Sequence, residues 1–247
     1  MTSSEVWDRE TAERYDDPED PMNQAAAIEP AVDFLYDLAG SRPALELAIG
    51  TGRIGVPLRE RGVAVSGIEL SGPMLDVLRR KVEEARLPVV IGDMASATAP
   101  GAGEFALVYL VYNTIGNLRT QEEQVACVAN AARHLAPGGR FVVEVGVPPL
   151  RRLPPGQIAA PFDLTETHLG IDTFDLVTQQ ATSHHYTREP DGRYRAHRHH
   201  FRYVWPSELD LMARLAGLSP EARYASWERA PFTAESTRHV SVWHKPV

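Results

Sequence analysis

The chain has 247 residues, enough for one large α/β domain or for a domain with a modest insertion. Apolar residues make up 43% and charged residues 23%, the balance of an ordinary globular protein. Its 25 basic and 33 acidic side chains give a formal net charge of −8, so nothing draws it at long range to phosphate backbones, and nucleic acid is not expected as a partner.

The opening stretch, MTSSEVWDRE, is acidic and polar and does not read as a signal peptide. Residues 1–43 read as helical, with breaks at Asp17-Pro18 and Asp20-Pro21 and a stop at Gly40. From Ala44 the pattern changes. ALELAI is a strand, and a glycine turn leads into the helix RIGVPLRERG. VAVSGIEL is a second strand, after which Ser71 caps the helix GPMLDVLRRKVEEARL. LPVVIGD is a third strand and FALVYLVY a fourth; the latter, about eight residues of apolar run, is too short to span a bilayer. TQEEQVACVANAARHL is a helix, and RFVVEVGVP forms a fifth strand after the turn PGG. Strands alternating with helices in this way build βαβ units and a parallel sheet, whose ligands sit at the C-terminal ends of the strands.

Beyond Pro148 a Pro-rich connection leads into three strand-like runs, FDLTETHL, IDTFDLVTQQATSHHYTRE and GRYRAHRHHFRYVW. The turn EPDG makes the last two a hairpin. A helix PSELDLMARLAG follows, and strand-like segments around Glu221–Trp227 and His239–His244 end the chain. Trp205 and Trp227 read as core or lid aromatics. The single cysteine, Cys127, lies in a helical stretch and reads as a small core residue; one thiol cannot form an internal disulfide and fits a reducing cytoplasm.

The chemistry begins at GTGRIG, which matches G-x-G-x-x-G literally through Gly50, Gly52 and Gly55. Glu69 stands at the end of the second strand, where an acidic residue that holds a ribose is expected. To this point a nicotinamide-dependent dehydrogenase reading survives. Further marks fall outside that fingerprint. Glu46 lies inside the first strand, Gly92-Asp93-Met94 ends the third, Tyr112-Asn113 ends the fourth, and LAPGGRFVVE leads into the fifth.

As a set, over roughly residues 40–147, these motifs resemble the class I S-adenosylmethionine-dependent methyltransferases of small molecules. That family's acidic-x-Gly-x-Gly-x-Gly pattern falls on Glu46, Ala48, Gly50 and Gly52, with alanine in place of the first glycine. On this register Gly55 is a helix-packing glycine. The resemblance implies a Rossmann-like, mostly parallel, seven-stranded α/β sheet with N-terminal helices and an inserted antiparallel β cap. Residues 1–43 would be a helical lid, 44–147 the cofactor core, 148–204 the cap and substrate region, and 205–247 the elements that complete the core sheet.

The resemblance also implies the site. S-adenosylmethionine would be bound, and S-adenosylhomocysteine left as product. Gly50 and Gly52 would let the backbone approach it; Glu69, with Leu70 beside it, would hold the ribose. Asp93 would take the adenine amino group, with Met94 against the ring; a turn-capping role for Asp93 stays open. Tyr112 or Asn113 would touch the methionine end, and Tyr15 would cover the cofactor. Glu46 would either meet the ammonium or only orient the loop. Methyl transfer by in-line displacement needs positioning above all. A base matters only for a protonated acceptor, and His184, His185, His199 and Glu144 are the candidates for base or acceptor grip. His197 and His199 share a strand face, with His200 on the other, but no third ligand is spaced to make a metal site.

The reading is thus a methyltransferase acting on N or O of a small-molecule acceptor, in a cytoplasmic monomer or homodimer with no membrane or nucleic-acid partner. The alternatives are an NAD-dependent oxidoreductase that uses GTGRIG as its pyrophosphate loop, and a non-catalytic protein that only binds S-adenosylmethionine.

Overall fold

The computed structural model describes residues 7–247; the first six residues of the expected N-terminal helical region lie outside it. Helix α1 (Arg9–Arg14) starts where the Asp8 side chain accepts from the Thr11 amide, satisfying one of the first turn's free N–H groups. A 3-10 turn at Pro21–Asn23, capped by Asp20, turns the chain into α2 (Ala25–Ala39). Gly40 ends α2 with a φ of 59°, a conformation that costs glycine little.

The core then alternates as its apolar pattern demands: β1 (Ala44–Leu47), α3 (Gly55–Glu60), β2 (Val65–Glu69), α4 (Gly72–Arg79), β3 (Val89–Ile91), β4 (Phe105–Leu110), α5 (Gln121–His134) and β5 (Leu135–Gly146). The cap follows as β6 (Ala159–Leu164), β7 (His168–Phe174), β8 (Gln180–Arg188) and β9 (Tyr194–Arg202). Helix α6 (Pro206–Leu215), β10 (Ser219–Tyr224) and β11 (Arg238–His244) complete the chain. The seven-stranded sheet runs β10-β11-β5-β4-β1-β2-β3, with β11 antiparallel to both neighbours and the remaining core pairings parallel. Strand order reverses between β1 and β4, the switch point at which such sheets bind ligands.

Both faces of this sheet are covered, so its central strands are apolar throughout. Leu45, Leu47, Val108, Leu110, Phe141 and Val143 pack against α5 and α6. Ala44, Leu107, Tyr109, Val142 and Val242 pack against α2 and α3, with Trp227 edge-on to Phe34. Trp205 stays partly exposed beside Tyr203. Cys127 is fully buried, and burial pushes its thiol up to about 12, which leaves it inert as a nucleophile.

Several boundaries differ from the sequence expectation, each for a local reason. The helix begun at Gly72 ends at Arg79 instead of running on to Leu87. Glu84 accepts from the Val89 amide and Arg79 donates to the Val82 and Leu87 carbonyls, so side chains hold an irregular return to β3. The fourth strand stops at Leu110, because Tyr112 and Asn113 both take positive φ, 56° and 61°. The long run Ile171–Glu189 is two strands, broken where the Asp175 carboxylate accepts from Val177 and Thr178. FDLTETHL divides similarly at Thr165, whose hydroxyl and amide close a turn on His168. The EPDG turn forms as its residues direct, with Gly192 at a φ of 83° joining β8 to β9. The four-stranded antiparallel sheet, β6-β7-β8-β9, is joined to the core by Arg202, which donates to Gln124 on α5 and to Glu208 on α6.

Candidate active site

Where β1 ends, the backbone curls through left-handed residues: Ala48 at φ 51°, Gly50 at 58° and Gly52 at 80°. The two glycines serve different ends. A Cβ placed on Gly50 would meet nothing within 4 Å, so the loop is open on that side. A Cβ on Gly52 would lie 2.4 Å from Leu78 Cδ1, so Gly52 is a packing glycine and not a wall of the cleft. Gly55 leaves room for a carboxylate, since a Cβ there would lie 2.7 Å from Glu46 Oε2.

Glu46 is buried beneath the loop, accepting from the Tyr109 hydroxyl at 3.1 Å and from the Gly55 amide. Burial pushes its carboxyl up to about 8, against the opposing pull of Tyr109 and Arg53. It braces the turn and does not line the cleft. Glu69 does line it. Its two oxygens accept from Gly50 N and Ser71 N, each at 2.7 Å, and burial raises its carboxyl against these donors. Ser71 in turn caps α4 through Met74 N and donates its hydroxyl to the Trp7 carbonyl at 2.7 Å.

The cleft at the strand ends brings together Tyr15, Ala48, Gly50, Glu69, Leu70, Asp93 and Met94. Asp93 caps the turn after β3 through Oδ1, which accepts from Ala95 N at 2.8 Å. Tyr15 packs edge-on against Trp7 at 5.6 Å, and burial pushes its hydroxyl up to about 12. Tyr112 and Asn113 are not among the residues that line the cleft: the Tyr112 ring lies under the Arg53 guanidinium at 4.8 Å, and Asn113 Oδ1 is occupied by the Gly146 amide at 2.6 Å. Sequence reasoning missed Trp7, Thr114, Asn117 and Leu118, all of which line the cleft. Thr114 and Asn117 were findable, since polar residues just past the end of β4 lie where parallel sheets hold ligands. A roomier hollow of about 520 Å³ lies at the opposite, N-terminal ends of the strands, between Pro43, Val63 and Glu104, away from that switch point.

A strap of residues 15–23 is tied across the loop. Asp16 Oδ1 accepts from the Thr51 hydroxyl at 2.7 Å, and Lys81 bridges Asp16 at 2.6 Å and the Thr51 carbonyl at 2.8 Å. Arg53 donates to the Met22 carbonyl at 3.1 Å.

The cap sheet's inner face meets the cleft at Trp7. Its first row, Phe174, Ala181 and Phe201, anchors the sheet in an apolar cluster. The next row is Asp172, Ser183 and His199, with Ser183 donating to Asp172 at 2.6 Å. Burial raises the Asp172 carboxyl, a residue the sequence did not single out. His199 stacks on Phe201 at 6.1 Å and meets Trp7 at 6.2 Å; burial, then His197 and His185, lower it to about 4. It is therefore a neutral imidazole near neutral pH. His185 shares this face, whereas His184 is turned to the opposite one, against the Thr173 hydroxyl at 3.1 Å. Glu144 accepts from the Tyr112 amide at 3.0 Å, so one of its oxygens supports the loop after β4. Among the described residues no group of three His, Cys, Asp or Glu side chains could hold a metal ion, and no helix is long and apolar enough to cross a membrane.

A glycine turn after the first strand, a held carboxylate after the second and an acidic turn after the third define a nucleoside-binding α/β enzyme. Comparison with known proteins narrows this. A family model described as a methyltransferase domain matches residues 44–139. The cypemycin N-terminal methyltransferase of a Streptomyces species is 29% identical over 98% of this chain and 98% of its own. The solved CcbJ methyltransferase of Streptomyces caelestis superposes with a TM-score of 0.82 at 36% identity, over 96% of each chain. An amino pentose methyltransferase from Micromonospora echinaspora, solved with S-adenosylmethionine bound, shares the fold at a TM-score of 0.68 and 20% identity, over 88% of this chain and 90% of its own. The chain belongs to the class I S-adenosylmethionine-dependent methyltransferases. S-adenosylmethionine is its cofactor, and the open side of Gly50 and the fixed Glu69 carboxylate fit that ligand. The nicotinamide and non-catalytic readings find no support in these comparisons.

Proposed function

We propose that this enzyme methylates an amine nitrogen of a small natural-product acceptor. The observation that carries the reading is the contact between His199 of the cap and Trp7 of the cleft, which sets the cap face beside the donor cleft. Named relatives support nitrogen over oxygen. They include the cypemycin enzyme and a dTDP-3-amino-3,4,6-trideoxy-glucopyranose N,N-dimethyltransferase of Streptomyces venezuelae, 36% identical over 40% of this chain and 40% of its own.

Within this reading residues 1–43 are the lid, 44–147 the donor core, 148–204 the acceptor cap and 205–247 the completion of the core sheet. Glu69 accepts from the ribose hydroxyls, Asp93 Oδ2 from the adenine amino group, and Met94 packs on the base. Ala48 and Gly50 follow the amino-acid end, and Trp7 with Tyr15 roofs the site. S-adenosylmethionine supplies a methyl group on a sulfonium already activated for displacement. The chain's contribution is to hold the acceptor in line and to shield the site from water, which together are worth about 7–11 kcal/mol when orientation is good. The half-buried Asp172 forms no ion pair among the described residues and bonds only the Ser183 hydroxyl, so a cationic amine complements it. The reading includes a cytoplasmic monomer or homodimer that does not bind nucleic acid.

The test is a panel of amino sugars and free-amine peptides, each paired with its hydroxyl counterpart, followed by S-adenosylhomocysteine release. Turnover of amines and not of their counterparts is expected. Turnover confined to hydroxyls would reject nitrogen and leave the methyltransferase assignment intact.

A further inference from the structure

In the two rows outward from His199, three titratable side chains on the same inner face form a continuous chain. Asp163 comes from β6, where a shift in register between Pro161 and Asp163 breaks the regular pairing with β7. Its Oδ2 lies 2.5 Å from His168 Nδ1, and His168 Nε2 lies 3.1 Å from His185 Nδ1. The Phe162 ring packs over both imidazoles, with centroids 6.4 Å from His168 and 5.3 Å from His185. Room for that ring comes from Gly170, where a Cβ would stand 2.3 Å from it. The next ring along is His197, 6.2 Å from His185.

Partner chemistry assigns the protons. A carboxylate only accepts, so His168 carries its proton on Nδ1. In neutral His168, Nε2 is then an acceptor, and the 3.1 Å contact must be filled by a proton on His185 Nδ1. That leaves His185 Nε2 bare, and no described residue donates to it. We infer that Asp163 and His168 are positioning residues that fix this tautomer and make His185 Nε2 the base that receives the acceptor amine's proton. The inference rests on the nitrogen reading above. Its proton count closes. The N–H bond of the attacking amine breaks as His185 Nε2–H forms, the nitrogen's lone pair forms the new C–N bond as the methyl's C–S bond breaks and leaves its pair on the sulfur of S-adenosylhomocysteine, and the Nδ1 proton passes to His168 Nε2. The positive charge comes to rest on His168, next to Asp163.

The surroundings agree. Burial, with His168 and His197 adding to it, holds His185 below its ordinary value against the pull of Asp163, so it is neutral and able to accept near neutral pH. The charged groups facing this row are His168 and Asp163 from β7 and β6, His197 and Arg195 from β9, and Asp8 and Glu10 from α1.

Long-range nitrogen–proton NMR spectra of the histidine-labelled full chain test the chain of bonds without any acceptor. His185 should appear as the Nδ1–H tautomer, and His168→Asn should return it to the Nε2–H form. An Nε2–H His185 in the unaltered protein, or one unmoved by the substitution, would overturn the inference. Unchanged S-adenosylhomocysteine binding checks that the variant is folded. The near-isosteric Asp163→Asn removes the charge that favours protonated His185. With an amine that is turned over, it should move the acidic limb of kcat/KM to lower pH by about one unit. A limb that stays in place would overturn the base role. Failure of the nitrogen reading would show instead as turnover of hydroxyls alone, with the tautomer experiment still decisive.

Discussion

Glu46 and Glu69 are both buried acids at one turn, yet only Glu69 faces the cleft. Sequence position pointed to both, Glu46 within the strand that leads into the glycine loop and Glu69 at the end of the next strand. What position cannot convey is which side of the loop the side chain takes. The Tyr109 hydroxyl, 63 residues away in sequence, is what draws Glu46 underneath. The same holds for Gly52, whose spelling matches a ligand-contact glycine while Leu78 fills the space beside it. Glu46 should leave a mark on stability. Its folded value, about 8, lies above its ordinary 4.5, so folding favours the protonated form. That contribution is complete below the ordinary value and is lost as pH rises through the folded one. Wild-type unfolding free energy should therefore fall between about pH 5 and pH 8 by an amount on the order of a few kcal/mol from this group. Glu46→Gln should flatten that slope in urea titrations, and an unchanged slope would reject the burial argument.

At the level of elements, the strands and helices of the core were legible because their apolar periods are long and regular. The cap was legible as antiparallel but not as four strands. Its two missed turns depend on short side-chain bonds at Asp175 and Thr165, which local composition does not separate from strand. The joint between cap and core was not legible at all, since it is made by a residue inside a strand-like run. Arg202 and Glu208 form an ion pair with side chains only 5% and 13% exposed, and Gln124 completes it. Removing one member leaves the other charged and buried, at a cost of about 3–5 kcal/mol. Arg202→Ala should lose that much in chemical denaturation, whereas an exposed pair such as Arg9–Asp76 would lose under about 1 kcal/mol.

Across the whole molecule, one short N-terminal segment touches every working part. The strap of residues 15–23 is pinned to the glycine loop through Asp16, Thr51 and Lys81, while α1 bonds the core through Glu13–Arg80 and the cap through Glu10–Arg195. Trp7 is shared between the two compartments, edge-on to Tyr15 on one side and against His199 on the other. A side chain that is at once ceiling for one guest and partition for the next imposes an itinerary on visitors. The sulfonium compound must arrive first and its spent thioether depart last. Initial-rate measurements should therefore give intersecting patterns, with S-adenosylhomocysteine competing against S-adenosylmethionine and not against the acceptor. Free entry in either sequence would mean that the shared tryptophan partitions nothing.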